Sequence, residues 1–128
     1  MDEPGRVLGP ATVATTIARR VFLAGVDGAW VSSQRARLER QLLRGLDCLA
    51  QMWLASGDPG LTVETALEAV AIDTFRERSY QLLMQAYAAS GNGAEAVRVY
   101  HRLRDVLEAD LGTEPSPETE AVYRAVLQ

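Results

Sequence analysis

Two arginine–glutamine pairs recur at a spacing of 34 residues, and their side chains suit binding to another protein. Arg44 and Gln51 form the first pair, and Arg78 and Gln85 form the second. On a shared surface, guanidinium and amide groups can hold carboxylates or a peptide backbone through forked hydrogen bonds. We therefore expect these four residues to bind an acidic or extended segment of a partner. The alternative is that they are ordinary solvated residues of a helix surface.

A second group of arginines is spaced as one stripe of a helix. Arg37 and Arg40 precede Arg44 at intervals of three and four residues, which places the three on the same side. The stripe could contact an acidic partner, contact phosphate if a neighbouring domain carried the chain to DNA, or be solvated. Arg35 falls instead on the apolar side of this helix, so we expect it to form a structural ion pair near Trp30.

The sequence contains no constellation for covalent chemistry. His101 is the only histidine and Cys48 the only cysteine, so a metal site, an internal disulfide or a nucleophile–base pair lacks its other members. The glycines flank the ends of predicted helices and form no phosphate-binding loop. We therefore predict a protein that is not an enzyme and that needs no metal or other cofactor.

Composition and charge favour a single globular domain. The chain has 128 residues, enough for a real hydrophobic core. Its acids are concentrated in residues 57–128, which contain 12 acidic residues and six arginines. This excess of negative charge argues against direct nucleic-acid binding by the chain alone. No apolar run approaches the ~20 residues of a membrane span, and the acidic N-terminus is unlike a signal peptide. We expect no membrane contact and a cytoplasmic location.

The 34-residue spacing extends to a whole pair of predicted helices. With repeats starting at residues 43 and 77, apolar positions coincide, Trp53 aligns with Tyr87, and Gly57 aligns with Gly91 at the turn. This period is that of the tetratricopeptide helix pair. We expect the aromatic residues to pack in the core and the arginine–glutamine pairs to lie on the concave face. The predicted fold is all-α, with two tetratricopeptide-like hairpins and flanking helices.

Capping signals set the predicted helix boundaries. Asp58 and Ser116 each precede a proline, which is typical of a helix start. Asn92 and Thr74 each precede an acid by three residues, as in a capping box, and Glu77 is thereby expected to be architectural. The predicted helices span residues 12–20, 30–56, 59–72, 75–90, 93–111 and 117–127.

Three stretches resemble one bacterial family more closely than helical repeats at large. They are FLAGVDGAWVSSQRARLERQLL, AIDTFRERSYQLLMQAYAASGNGAEAVRVYHRLRDVLEADLG and TEPSPETEAVYRAVL. Together they resemble the bacterial transcriptional activator domain, the tetratricopeptide-like module of antibiotic-regulatory-protein-type (SARP-type) activators. The most specific parts are the tail LGTEPSPET, the segment GAWV leading to Arg35, and FRE at residues 75–77. We predict a poorly matched segment, 1–20, followed by the domain proper, 21–128.

The resemblance implies a regulatory function that works by contact. Such a module would be the interaction or dimerisation part of a transcriptional activator, with RNA polymerase, the regulator's DNA-binding domain or a second copy as partner. The family's winged helix-turn-helix domain would precede the module, and residues 1–20 are too few to form it. Two other functions stay open, a stand-alone adaptor that binds a peptide and a small-molecule sensor. The sequence departs from the family pattern at Thr74, where proline is usual.

Overall fold

The computed structural model describes residues 29–128, and this part of the chain is helical and contains no strand. Its helices are α1 (Ala29–Ala55), α2 (Pro59–Ile72), α3 (Glu77–Ala89), α4 (Gly93–Leu111) and α5 (Pro117–Val126). The all-α prediction is confirmed, and the predicted bounds of α2 and α4 match residue for residue. The predicted helix at 12–20 lies outside the described residues.

Side-chain caps begin three of these helices, as the sequence predicted. The Asp58 carboxylate accepts a hydrogen bond from the Leu61 backbone N–H at 3.2 Å, ahead of α2. Asn92 accepts from the backbone N–H of Glu95 at 3.4 Å, and Ser116 accepts from that of Thr119 at 3.2 Å. Each bond satisfies a backbone donor that has no partner inside its own helix.

The turns after α1 and α3 depend on glycine at matching positions of the repeat. Gly57 has φ of 84° and Gly91 has φ of 77°. This left-handed region is costly for residues with a Cβ atom and is open to glycine. The predicted turn positions of Gly57 and Gly91 are therefore confirmed.

The predicted capping box at Thr74 is wrong. Helix α3 begins at Glu77, and its N-cap is Arg76, which makes no side-chain cap. The preceding turn is held instead by Asp73, whose carboxylate accepts from the Phe75 backbone N–H at 3.0 Å. This arrangement leaves the Glu77 carboxylate available for another helix.

Helix α3 is the centre of the described fold because it contacts α1, α2, α4 and α5. Within residues 29–128, neither α1 nor α2 contacts α4 or α5. The two hairpins therefore meet through α3, which buries residues on most of its circumference. The core consists of two clusters: Leu42, Leu43, Leu46 and Ala69 between α1 and α2, and Ala50, Ala66, Tyr80, Leu82, Leu83, Met84, Ala96, Val99, Tyr100, Leu103 and Leu107 around α3.

The predicted aromatic core positions are buried to different degrees. Tyr80 and Tyr100 are buried, whereas Trp53 and Tyr87 are half-buried. Tyr87 packs against the cluster around α3.

The two helix crossings use different small residues at the same repeat position. Thr62 in α2 and Ala96 in α4 are both fully buried. The Thr62 hydroxyl donates to the Ala50 carbonyl at 3.0 Å and lies 3.3 Å from the Asp58 carbonyl. Threonine is therefore accommodated at the first crossing because its hydroxyl finds backbone acceptors.

Candidate functional site

A chain of hydrogen bonds joins α3 to the start of α5. The Arg78 guanidinium donates to the Gln81 side-chain oxygen at 3.2 Å, and the Gln81 amide donates to the Thr119 hydroxyl at 2.9 Å. The Thr119 hydroxyl in turn donates to the Glu77 carboxylate at 2.6 Å. Thr119 is fully buried, and Gln81 is only 9% exposed. Arg78, predicted to bind a partner, is thus engaged within the domain.

Glu77 fastens the N-terminus of α5. Its carboxylate accepts from the Ser116 backbone N–H at 2.9 Å as well as from the Thr119 hydroxyl. Partial burial raises the pKa of Glu77, but the hydrogen bonds from Thr119 and Ser116 together lower it by a larger amount. The pKa of Glu77 therefore lies below its ordinary value. The role of Glu77 is therefore to attach a helix 39 residues along the chain.

An apolar groove lies between α3 and α5, beyond this polar chain. Its volume is about 390 Å³, and its lining residues are Gln85 and Ala88 of α3 with Ala121, Val122, Ala125 and Val126 of α5. The two helices run in the same direction, because Glu77 and Gln81 meet the first turn of α5 while Gln85 and Ala88 meet later turns. Gln85, a predicted partner-binding residue, is thus one of the residues that line this groove.

Within residues 29–128, no helix covers the matching side of α1. Arg44 and Gln51 are exposed there, whereas Asp47 between them is ion-paired with Arg76. One oxygen of Asp47 and the Nε atom of Arg76 are buried and have no hydrogen-bond partner among the described residues. The Asp47–Arg76 pair was missed in the sequence, although its arginine belongs to the FRE motif.

The remaining predicted residues lie along α1, outside the groove. Arg37 and Arg40 are exposed on α1, and Arg35 is half-buried. Arg35 is not free of contacts, because its side chain interacts with another group. Its predicted ion pair with an acid stays a prediction. Trp30 is 73% exposed. The described residues therefore do not bury it, although burial would be expected of an architectural residue.

Two stacked tyrosines join α4 to α5. The rings of Tyr100 and Tyr123 lie 3.7 Å apart and are nearly parallel, with an angle of 4°. The Tyr100 hydroxyl donates to Glu120 at 2.6 Å, and burial followed by this bond raises the pKa of Tyr100 to about 12. His101 meets the Tyr100 ring edge-on at 5.4 Å. These contacts place His101 in an aromatic packing role.

Residues 29–128 contain neither a cluster of metal ligands nor a membrane-spanning helix. No group of three His, Cys, Asp or Glu side chains is placed to hold a metal ion there. No helix in the same range is long and apolar enough to cross a membrane.

The sequence places this helical fold in a known family. Residues 14–127 match the family described as the bacterial transcriptional activator domain. The chain belongs to this family, as its motifs indicated, and is a transcription-regulation domain of the activator type.

Three relatives are regulatory proteins by name. The regulatory protein AfsR of Streptomyces coelicolor is 33% identical over 133 residues, which cover 98% of this chain and 13% of AfsR. AfsR of Streptomyces griseus is 32% identical, with 98% of this chain and 14% of AfsR covered. The transcriptional regulatory protein MoaR1 of Mycobacterium tuberculosis is 31% identical over 80 residues, 62% of this chain and 26% of MoaR1. The chain thus spans a small part of each relative.

Proposed function

We propose that this chain is a non-enzymatic interaction module of a transcriptional activator, and that it docks a protein segment on the concave side of α1, α3 and α5. The apolar groove between α3 and α5 carries the proposal. By repeat position, Gln51 aligns with Gln85. The groove and the exposed polar residues of α1 would therefore form one continuous surface.

The groove suits a peptide segment because half of its lining residues have small side chains. Ala88, Ala121 and Ala125 line it, and methyl-sized side chains let a helix or an extended backbone approach closely. Gln85, which also lines the groove, carries two amide N–H donors and one carbonyl acceptor for a peptide group. This combination of a mostly apolar lining and a few polar groups is typical of binding grooves.

The α1 side of the surface would select the charge of the segment. Arg44 and Gln51 are exposed there, so an arriving carboxylate could form a forked bond with the Arg44 guanidinium. Arg78 is already bonded to Gln81 and would contribute less. We therefore propose an acidic segment of RNA polymerase as the partner, with the regulator's own DNA-binding domain as the alternative partner.

A titration of labelled chain with bacterial RNA polymerase holoenzyme tests the proposal, with duplex DNA as the parallel control. Saturable binding to polymerase without binding to DNA is the expected result. Ala121→Glu would bury a charge in the occupied groove and should weaken binding at least about tenfold. Ala71→Glu, an equal change at an exposed alanine of α2, should leave binding unchanged. Equal effects of both variants in folded protein would contradict the groove as the binding site.

Arg44→Glu separates charge selection from groove occupancy. It reverses an exposed charge on α1 without touching the hydrogen bonds that hold α5. Weaker polymerase binding that depends on salt would support the acidic partner. Unchanged affinity would contradict the predicted role of the arginine–glutamine pairs.

The other candidate functions predict different outcomes in the same assays. A stand-alone adaptor would bind neither polymerase nor a DNA-binding domain. A small-molecule sensor is compatible with the groove volume of about 390 Å³, since ligand pockets commonly span ~300–1,000 Å³. A metabolite that raises the melting temperature of the chain, but not that of Ala121→Glu, would favour the sensor.

A further inference from the structure

The groove between α3 and α5 is walled by two helices, and this limits the kind of segment that can occupy it. Residues 29–128 contain no strand, so they offer no sheet edge to pair with an extended backbone. The six lining residues include no aromatic side chain, whereas grooves that bind proline-rich segments are lined with aromatic rings. Among the common modes of peptide recognition, an apolar groove of this kind fits the docking of an amphipathic helix.

Backbone hydrogen bonding favours a helical occupant as well. Gln85 has the one polar side chain among the lining residues, and the others are alanine or valine. An extended segment would therefore press several of its N–H and C=O groups against apolar side chains without hydrogen-bond partners, which is costly. A helix satisfies its backbone groups internally and presents only side chains to the groove. The lining thus selects a segment that is helical when bound.

Small side chains allow such a helix to approach closely. Ala121 and Ala125 are exposed on α5, and Ala88 is half-buried on α3. Packed helices lie ~8–10 Å apart, depending on the side chains at the contact, so these alanines permit a distance at the short end of that range. Ala121 and Ala125 lie one turn apart on the same side of α5. The matching stripe of the occupant would therefore carry larger apolar side chains three or four residues apart.

Charge beside the groove predicts a second feature of the occupant. Helix α1 contacts α3 but not α5, so it flanks the groove on the α3 side, where Arg44 is exposed. Arg78 lies seven residues before Gln85, which places the two on the same side of α3. A helix in the groove would thus have arginines along one flank. Carboxylates on that flank of the helix would complement them.

We propose that the groove takes an amphipathic acidic helix of the partner, a proposal that rests on the proposed function because both concern the same groove. The apolar stripe of this helix enters between α3 and α5, and its carboxylates face Arg44 and Arg78. Isolated helices shorter than ~12–15 residues are marginal in water. A partner segment of that length would therefore become helical as it docks.

Hydrogen exchange of RNA polymerase, with and without the chain, identifies the docked segment. One continuous segment should be protected, with apolar residues three or four apart and acids beside them. A synthetic peptide of this segment, isotopically labelled, should bind the chain and show helical Cα chemical shifts in the complex. Extended shifts in the bound peptide would overturn the proposal. Protection of polymerase without any continuous segment that binds as a peptide would overturn it as well.

Disulfide trapping measures the spacing of the docked residues. Ala121→Cys and Ala125→Cys are made separately in a Cys48→Ser chain, since Cys48 is exposed, and a single cysteine is moved along the peptide. The two chain positions are about 6 Å apart along α5, so the peptide positions that react best should differ by three or four residues in a helix. In an extended peptide, at ~3.3 Å per residue, they would differ by about two, which would overturn the proposal. Ala71→Cys, at an exposed alanine of α2, is the control and should favour no position.

A proline in the peptide separates this proposal from the function proposed above. Proline at a solvent-facing position in the middle of the peptide should weaken binding at least about tenfold, because it breaks a helix. Alanine at the same position should change the affinity less than about threefold. Equal affinities of the two peptides would overturn the helix alone. A polymerase that does not bind the chain, or that binds Ala121→Glu as tightly as the wild-type chain, would contradict the proposed function and the helix with it.

Discussion

The two repeats place equivalent residues on the same side, yet the structure uses them differently. In the first repeat Arg44 and Gln51 are exposed. In the second repeat Arg78 bonds to Gln81, and Gln81 is buried beneath Thr119 of α5. The position within a repeat therefore sets the direction of a side chain, whereas the neighbouring helix decides what that side chain meets.

The difference arises because α5 stands where the first helix of a third pair would stand. Its core-facing residues are Thr119, Val122, Tyr123 and Val126, with the same spacing as Tyr80, Leu83, Met84 and Tyr87 in α3. Helix α5 lies on α3 alongside α4, but within residues 29–128 no second helix completes its pair. A half-repeat of this kind covers one end of the solenoid and creates a groove beside the residues it covers.

The largest expected effect comes from removing a core side chain of α3. This change tests whether the two hairpins unfold as one cooperative unit. Leu83→Ala empties a fully buried site and should lower the free energy of unfolding by about 2 to 5 kcal/mol. Because α3 contacts both hairpins, fluorescence and circular dichroism should report a single urea transition. Leu67→Ala is the matched control, since this leucine is 42% exposed on α2. Two separate transitions, or a loss equal to that of the control, would contradict the central role of α3.

A swap at the helix crossings sharpens the comparison of the repeats. Ala96→Thr would insert extra atoms into a fully buried crossing and should cost about 1 to 3 kcal/mol. The reverse change, Thr62→Ala, loses the hydroxyl bond to the Ala50 carbonyl and should cost about 1 kcal/mol. Urea unfolding measures both. Equal and small effects would mean that the two crossings are interchangeable despite their different packing.

The fold was predictable because its determinants are local and periodic. Asp58, Asn92 and Ser116 cap helices by contacts within three residues, and Gly57 and Gly91 end them by their own backbone angles. Such signals lie within a few positions of their effect, so sequence alone reveals them.

The candidate site was predicted only in part because its determinants are distant in sequence. Glu77 has the spacing of a capping box, but its carboxylate bonds to Ser116, and no local pattern distinguishes the two uses. The ion pair between Arg76 and Asp47 spans 29 positions. The apolar groove beside Gln85 depends on where α5 packs. The repeat period does not determine the position of α5.

The attachment of α5 through Glu77 gives the next largest effect. Glu77→Gln removes the charge that accepts from Ser116 and Thr119 and should cost about 1 to 2 kcal/mol at neutral pH. Glu95→Gln is the control, because Glu95 pairs with the exposed Arg98 and the change should cost less than about 0.5 kcal/mol. Thermal unfolding measures both variants. An equal loss in the two would contradict the role of Glu77 in holding α5.

The pH dependence of the Glu77 effect has a fixed sign. The pKa of Glu77 in the folded chain lies below its ordinary value of 4.5, so its stabilising contribution is complete above pH 4.5 and is lost as pH falls through the folded pKa. The difference in melting temperature between the wild-type chain and Glu77→Gln should therefore be constant at neutral pH and shrink below pH 4.5. A gap that widens on acidification would contradict the hydrogen bonds to the ionised carboxylate.

The smallest expected effect tests the second attachment of α5, the stacked tyrosines. Tyr100→Phe keeps the ring on Tyr123 and removes the hydroxyl bond to Glu120, which should cost about 0.5 to 1.5 kcal/mol. Because the folded pKa of Tyr100 is raised from 10.0 to about 12, this contribution is complete below pH 10.0 and is lost as pH rises through about 12. Absorbance of the phenolate should show Tyr100 ionising near pH 12, and Tyr100→Phe should reduce the late absorbance change by one tyrosine, leaving that of Tyr80, whose pKa burial also raises. If the substitution leaves the late absorbance change undiminished, the bond to Glu120 does not hold the Tyr100 proton, and α5 is attached mainly through Glu77.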